Sequence, residues 1–176
     1  MHSNTAMLAQ EISFLPQELA PGLKTINNLK IENSKTLWIA SGNGLFKLED
    51  EKVKGFSVLP NGEKLQVNTI AIDNFGNKWL GTYSGKLIQF KNDKISNIID
   101  FNEYLKPDDA IITSIALNDN KIGTETKILL TTSDGQIFYY DTQNHTKGKL
   151  ISPAETMIYS INYGYEKTIW LCLDYL

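Results

Sequence analysis

Apolar and polar residues alternate in short runs along most of the chain, and clusters of turn-forming residues separate the runs. In the first clear unit the runs cover Asn28–Ile31, Leu37–Ser41, Leu45–Leu48 and Val53–Leu59. A two-residue period places every second side chain on one face of a strand, and the separators ENSK, GNG and EDEK are rich in residues that favour tight turns. The pattern therefore predicts a meander of antiparallel hairpins.

One stretch departs from this alternation. Phe101–Ala110, with the sequence FNEYLKPDDA, has an apolar spacing that predicts a short turn of helix ended by Pro107. We expect it to be an elaborated connection between the second and third units.

The unit recurs along the chain. Trp38, Trp79 and Trp170 lie at matching places, and Leu129 takes that place in the third unit. The intervals between these four positions are 41, 50 and 41 residues, and the first turn of the third unit is longer by five residues, KIGTE or its neighbours. A period of roughly 40–50 residues with four strands per unit is typical of propeller blades.

The repeat predicts an all-β fold, a β-propeller fragment of four-stranded antiparallel blades with three full blades and part of a fourth. We expect a tail or signal remnant over 1–10 and a single partial propeller over 11–176, with blades near 26–60, 67–100, 112–150 and 158–176. Glu11–Pro16 is predicted to be an outer strand. Because propellers close with typically four to eight blades, we expect a longer parent protein or a second chain to complete the ring, and an open blade face at Ile169, Trp170 and Leu171.

Two strings carry a resemblance to a known family. VNTIAIDNFGNKWLGTYSGKLIQF (Val67–Phe90) and LWIASGNGLFKL (Leu37–Leu48) resemble the two-component regulator propeller repeat, in which an apolar strand precedes D..GN.W.GT and then G.L with an aromatic residue. The first copy has Ala40 and Ser41 where the pattern prefers Gly and Thr. The resemblance covers about Ile26–Leu176.

Repeats of this family occur chiefly in the periplasmic sensor regions of bacterial hybrid two-component systems, which recognise carbohydrate fragments, and also in surface and secretion proteins. The resemblance implies a ligand-sensing propeller, periplasmic or at the bacterial cell surface, that binds a glycan or other small ligand. No transmembrane helix, kinase, receiver or DNA-binding helix is visible in the sequence, so the sensor function is implied by the repeat alone.

Charge and composition limit the classes of partner that the chain can bind. The 17 basic residues are all lysines and face 20 acidic residues, for a net charge of -3, so we expect no nucleic acid partner. Without arginine, a bidentate clamp on an acidic ligand is excluded. No apolar run approaches the roughly 18–20 residues that span a bilayer, so we expect no membrane insertion by this segment. Cys172, the single cysteine, is predicted to be a small buried hydrophobe.

The predicted ligand site lies on the loop face, the end of the propeller where turns between second and third strands lie beside the starts of the first strands. An aromatic ring with amide and carboxylate neighbours suits the apolar face and the hydroxyls of a sugar. The predicted ligand-binding residues are Asn43, Tyr83, Ser84, Asp134, Asn68 and Tyr159. The same turns also have a purely structural interpretation as hairpin residues.

Other candidate residues favour structural roles. The tryptophans could stack on sugars, but their places mid-strand among apolar residues favour packing between blades. Asp73, Asn74 and Asn77 in DNFGN are similar to a calcium loop, yet the later glutamate of an EF-hand is missing and the position needs a hairpin turn. His2 and His145 stand far apart in the sequence, with no accompanying cysteine or acidic cluster. We expect no metal and no cofactor.

The sequence contains no GxSxG, HExxH or GxGxxG motif, so we expect no enzyme. The leading hypothesis is a recognition propeller within a sensor. The first alternative is a protein–protein interaction scaffold of a surface or secretion protein. The second is a propeller lyase or hydrolase that uses polar residues around the central channel.

Overall fold

The computed structural model describes residues 22–105, 111–119, 126–150, 156–164 and 168–173. The helices and strands in these ranges are fourteen β-strands and one 3-10 helix, Asn102–Tyr104. The strands form three four-stranded antiparallel sheets and one two-stranded sheet. The predicted all-β class, with three full blades and part of a fourth, is confirmed.

Each sheet takes its strands in chain order. The first blade consists of β1 Asn28–Asn33, β2 Thr36–Ser41, β3 Gly44–Glu49 and β4 Lys52–Phe56. The second consists of β5 Val67–Ile72, β6 Lys78–Thr82, β7 Lys86–Lys91 and β8 Lys94–Asp100. The third consists of β9 Ile112–Asp119, β10 Thr126–Thr132, β11 Ile137–Asp141 and β12 Thr146–Lys149. The fourth contains β13 Ile158–Tyr163 and β14 Ile169–Leu173.

Tight turns join the third and fourth strands of the first two blades. Asp50 and Glu51 have φ angles of 46° and 64°, and Asn92 and Asp93 have φ angles of 51° and 59°. Two successive residues with positive φ form a type I′ turn, whose twist matches the twist of the flanking strands. The separators EDEK and KNDK therefore close hairpins.

The first strands of successive blades lie side by side, since β1 contacts β5, β5 contacts β9 and β9 contacts β13. A side chain at the start of each first strand also donates a hydrogen bond to a backbone carbonyl at the matching place in the next blade. The three bonds run from Asn27 Nδ2 to Val67 O (2.8 Å), from Asn68 Nδ2 to Ile112 O (3.0 Å) and from Thr113 Oγ1 to Ile158 O (2.8 Å). The repeat thus sets the spacing of the blades as well as their internal structure.

Apolar clusters fill the spaces between the blades, around Trp38, Trp79 and Leu129 in turn. Trp38 meets Phe90 of the second blade edge-on, with ring centroids 5.6 Å apart. Trp79 meets Tyr140 of the third blade at 6.0 Å. The repeated anchor on the second strand therefore joins one blade to the next, as the mid-strand positions predicted.

The matching surface of the fourth blade is open. Trp170 is 68% exposed, whereas Trp38 is 2% exposed. Cys172 is also exposed, so the prediction of a buried cysteine is wrong. At the place of Cys172 the second blade has Gly81, where an added Cβ would lie 2.6 Å from Ile112 Cγ2 of the third blade. No further blade covers Cys172 among the described residues.

Two connections differ from the sequence-based expectation. In the described part of the predicted helical stretch, residues 101–105, the structure has one 3-10 turn, Asn102–Tyr104, and residues 106–110 lie outside the described ranges. β4 ends at Phe56 and not at Leu59, because the Leu59 N–H donates to the Glu63 carbonyl (2.8 Å) in a turn of its own. Glu11–Pro16 and the insertion KIGTE also lie outside the described residues, and the domain limits stay a prediction.

Replacing Asn68 by alanine removes its hydrogen bond to the Ile112 carbonyl, and we expect the free energy of unfolding to fall by about 1 kcal/mol. Urea denaturation of the variant and the parent chain measures the change. Asn43→Ala is the control, since Asn43 is exposed and its loss should change stability by less than about 0.5 kcal/mol. Equal losses in the two variants would contradict a role for Asn68 in joining the blades.

Candidate functional site

The turns between second and third strands lie beside the starts of the first strands, as expected for the loop face. In each of three blades a backbone N–H of the turn donates to a residue just before the first strand. The bonds run from Gly42 N to Thr25 Oγ1 (3.2 Å), from Tyr83 N to Gln66 O (3.3 Å) and from Ser133 N to Ile111 O (2.9 Å). Three blades thus present a turn and a strand start at the same end.

Four of the predicted ligand-binding residues lie in these turns. Asn43 and Ser84 are exposed, while Tyr83 and Asp134 are half-buried. The Thr132 hydroxyl donates to Asp134 Oδ1, so that carboxylate helps to close its own turn. These residues share the loop face but belong to three different blades.

The other two predicted residues are at strand starts. Asn68 is half-buried, and its amide donates to the third blade, which gives it a structural role whatever else it contacts. Tyr159 is exposed on the fourth blade. The assignment of all six residues to a ligand site stays a prediction.

A groove on the loop face adds residues that the sequence analysis missed. We call it the loop-face groove; it has a volume of about 320 Å³. Its lining residues come from the β2–β3 turn and from the connection between the first and second blades: Gly42, Asn43, Ser57, Val58, Lys64, Leu65 and Gln66. Asn43 is thus brought into a concave site. The connection was interpreted as the end of a strand, so its side chains carried no recognisable signal.

Hydrogen bonds hold this connection in a small hairpin. Leu65 N–H donates to the Ser57 carbonyl (2.9 Å), and the Glu63 N–H donates to Asn61 Oδ1 (3.1 Å). Glu63 also forms an ion pair with Lys86 of the second blade (3.2 Å). A hydrogen bond with Asn61 and then the Lys86 ammonium lower the pKa of Glu63 below its ordinary value. The groove wall is therefore tied to both blades.

The DNFGN string forms a hydrogen-bonded hairpin. Asp73 is buried, and its Oδ1 accepts from the backbone N–H groups of Phe75 (2.9 Å) and Asn77 (2.8 Å). Its Oδ2 accepts from Asn77 Nδ2 (2.7 Å) and from the Trp79 indole (2.9 Å). Because four donors surround the carboxylate, the motif residues position the tryptophan and do not form an open cation site.

In the first blade a glutamate, Glu32, positions the tryptophan, and this glutamate also pairs with a side chain of the second blade. The Trp38 indole donates to Glu32 Oε2 (2.7 Å), and Glu32 forms an ion pair with Lys78 of the second blade. The Lys78 ammonium lies 4.9 Å from the centre of the Trp38 ring, where a cation–π attraction is expected. A charged pair, buried on the Lys78 side, thus fastens the first two blades.

His145 lies in the turn before β12 and forms a hydrogen bond with the Tyr140 hydroxyl (3.1 Å). Burial raises the pKa of Tyr140 above its ordinary value. His2 lies outside the described residues. Within the described part of the chain, no group of three acidic, histidine or cysteine side chains is placed to hold a metal ion.

Comparison with known proteins gives structural neighbours only. No protein-family profile and no curated protein matches the sequence. The extracellular domain assigned to the hybrid two-component system BT4673 from B. thetaiotaomicron is 23% identical over 86% of this chain, with a TM-score of 0.65. PorZ, a surface component of the type-IX secretion system of Porphyromonas gingivalis, is 21% identical over 93% of this chain, with a TM-score of 0.67. Streptogramin B lyase is 16% identical over 87%, with a TM-score of 0.66.

The chain folds as part of a β-propeller. The four sheets of the described ranges do not close into a ring. The chain spans 20% of the BT4673 domain, 24% of PorZ and 49% of the lyase. At these identities the similarity shows the fold and does not transfer a function. No helix in the described ranges is long and apolar enough to cross a bilayer.

The Glu32–Lys78 pair gives a test of the first interface of the propeller. We expect Lys78→Met to lower the free energy of unfolding by about 2 kcal/mol, because Glu32 loses its ion pair and Trp38 loses its cation. In the double variant Lys78→Met with Glu32→Gln the loss should be smaller than the sum of the single losses. A double-mutant cycle in urea measures the coupling. Additive losses would show that the two side chains do not interact.

Proposed function

We propose that this propeller recognises a glycan or another small ligand on its loop face, as part of a sensor that lies outside the cytoplasm. The loop-face groove is the observation that carries the proposal. Concave sites with an apolar wall and a few polar groups are the usual form of small-molecule sites. The groove combines these features on the loop face, between the β2–β3 turn and the connection from the first blade to the second.

The groove side chains suit a hydroxylated ligand. The amides of Asn43 and Gln66 can each donate and accept hydrogen bonds, and the Lys64 ammonium donates. Val58, which is 59% exposed, offers an apolar contact for the C–H face of a sugar ring. The groove lining contains one ammonium and no carboxylate among the described residues, so a neutral or acidic sugar fits better than a cation.

A separate observation supports the proposal that this propeller is part of a sensor. The BT4673 domain, one of the structural neighbours, is an extracellular domain assigned to a hybrid two-component system. Together with the repeat resemblance, this supports a periplasmic or surface location. In such a sensor, binding of a ligand in the loop-face groove would be reported through contacts with another domain.

We also propose that further blades, or a second chain, cover the two open faces of this propeller. On the fourth blade the exposed apolar residues include Trp170 and Leu173, and on the first blade they include Leu29 and Ile31. Each of these faces is the counterpart of a surface that is buried between blades elsewhere in the chain. Exposed apolar faces of this kind are rare in isolated soluble domains.

A protein-binding scaffold is the second candidate. It is favoured by the apolar surface at Trp170 and by the similarity to PorZ, which is a component of a secretion system. The two functions differ in the surface that they use, since a scaffold needs no ligand in the loop-face groove.

Thermal-shift measurements with a panel of mono- and oligosaccharides test the leading proposal. We expect at least one sugar to stabilise the chain by about 2.7 kcal/mol at a concentration of roughly 100 times its Kd. Asn43→Ala and Gln66→Ala should each weaken binding by about fivefold, because each removes a hydrogen-bonding amide from the groove.

Asn144→Ala is the matched control, because this exposed asparagine lies in the turn before β12, away from the groove. It should leave sugar binding unchanged. Absence of any stabilising sugar, or binding that survives both groove substitutions, would contradict the proposal. Retention of a protein partner in that case would favour the scaffold.

A further inference from the structure

The first strands of the four blades lie around a cavity near the propeller axis. Each of these strands, β1, β5, β9 and β13, is at an edge of its own sheet, and residues of all four line a cavity of about 330 Å³. We call it the axial cavity. Its size falls in the range of small-molecule sites. The lining residues that matter here are Lys30, Ala71, Ile72, Ala116, Asn162 and Tyr163.

Four of these residues hold the same place in the four blades, because each pairs with the anchor position of its second strand. The pairs are Lys30 with Trp38, Ala71 with Trp79, Ala116 with Leu129 and Asn162 with Trp170. The two alanines are buried, whereas Lys30 and Asn162 are exposed. Packing between blades needs only a methyl group at this place, so it does not account for the two polar side chains.

Lys30 brings a positive charge to the axial cavity. It has no ion-pair partner in the part of the chain that the structure describes. Glu32, the next residue on the same face of β1, already accepts from the Trp38 indole and pairs with Lys78. Among the described residues that line the cavity, Lys30 carries the only charge. The cavity therefore favours an anionic ligand.

Backbone groups of the first strands add donors and acceptors. In an antiparallel ladder, every second residue of an edge strand turns its N–H and C=O away from the neighbouring strand. The Asp73 N–H donates to the Asn77 carbonyl (3.0 Å), so the backbone groups of Ile72, one residue earlier, point away from β6. The same holds for Tyr163 in the fourth blade, because the Gly164 N–H donates to the carbonyl opposite it (2.8 Å). The cavity thus offers N–H donors for an anion and C=O acceptors for hydroxyl groups.

We infer that the axial cavity binds a small hydroxy acid, a carboxylate with several hydroxyl groups on a short carbon chain. The carboxylate pairs with Lys30, and the hydroxyl groups donate to backbone carbonyls and to the Asn162 amide oxygen. One ammonium balances the single charge of a carboxylate, whereas a phosphate ester carries nearly two charges. The site is separate from the loop-face groove and does not depend on the function proposed for that groove.

The probe is gluconate, and two comparison ligands with the same number of carbons each lack one feature. Glucitol has no carboxylate, and hexanoate has no hydroxyl groups. The backbone amide signals of Ile72 and Tyr163 in an NMR titration report binding at the cavity. We expect a saturable shift with a Kd of about 1 mM for gluconate, the affinity that a ligand of this size commonly reaches. Each comparison ligand should bind about fivefold more weakly.

Variants of exposed lysines locate the carboxylate. Lys30→Met should weaken gluconate binding by about tenfold and leave glucitol binding unchanged, because methionine keeps the apolar part of the side chain and removes only the charge. Lys91→Met is the matched control, since Lys91 is exposed at the end of β7 and does not line the axial cavity. It should change neither affinity.

Three results would overturn the inference: no saturable shift at about 10 mM gluconate, equal binding of either comparison ligand, or an unchanged gluconate Kd in Lys30→Met. Loss of gluconate binding in Asn43→Ala but not in Lys30→Met would overturn it as well. That outcome would place the hydroxy acid in the loop-face groove and support the function proposed for that groove instead.

Discussion

The structure depends on one packing constraint: a blade cannot bury the anchor residue of its own second strand and needs the next blade to cover it. Trp38 is covered by the second blade and Trp79 by the third, each against an aromatic ring. A tryptophan buries a large apolar surface, so this contact outweighs the single hydrogen bonds around it. The bond from Asn27 to the Val67 carbonyl, and its counterparts, then fix the distance between blades.

This constraint limits where function can reside. The faces of Trp38 and Trp79, the Asp73 carboxylate and the Asn68 amide are all occupied in holding blades and hairpins together. Side chains free for a ligand are therefore found at the two ends of the propeller, in turns and connections, and on the first strands around its axis. The loop-face groove beside Asn43 lies at one of these ends, against the packed sheets of the first two blades.

Features that recur within each repeat could be predicted from the sequence. The places of Trp38 and Trp79, the hairpin turns and the open face at Trp170 follow from spacing and turn chemistry. Contacts between blades were harder to predict from the sequence. They join matching places about 40 residues apart, and an alignment of the repeats does not show which residues are partners. The sequence therefore predicted a ligand-binding role for Asn68 and no contact with the next blade, and the pair of Glu32 with Lys78 was not predicted.

The exposure of the three tryptophans tests the central claim most directly. Uniform labelling with 5-fluorotryptophan gives one 19F signal for each, and a soluble paramagnetic gadolinium complex broadens the signals of accessible rings. We predict strong broadening of one signal, which is the signal that disappears in Trp170→Phe, while Trp38 and Trp79 stay sharp because the next blade covers them. Broadening of Trp38 or Trp79 to the same degree would contradict the packing of each blade against the next.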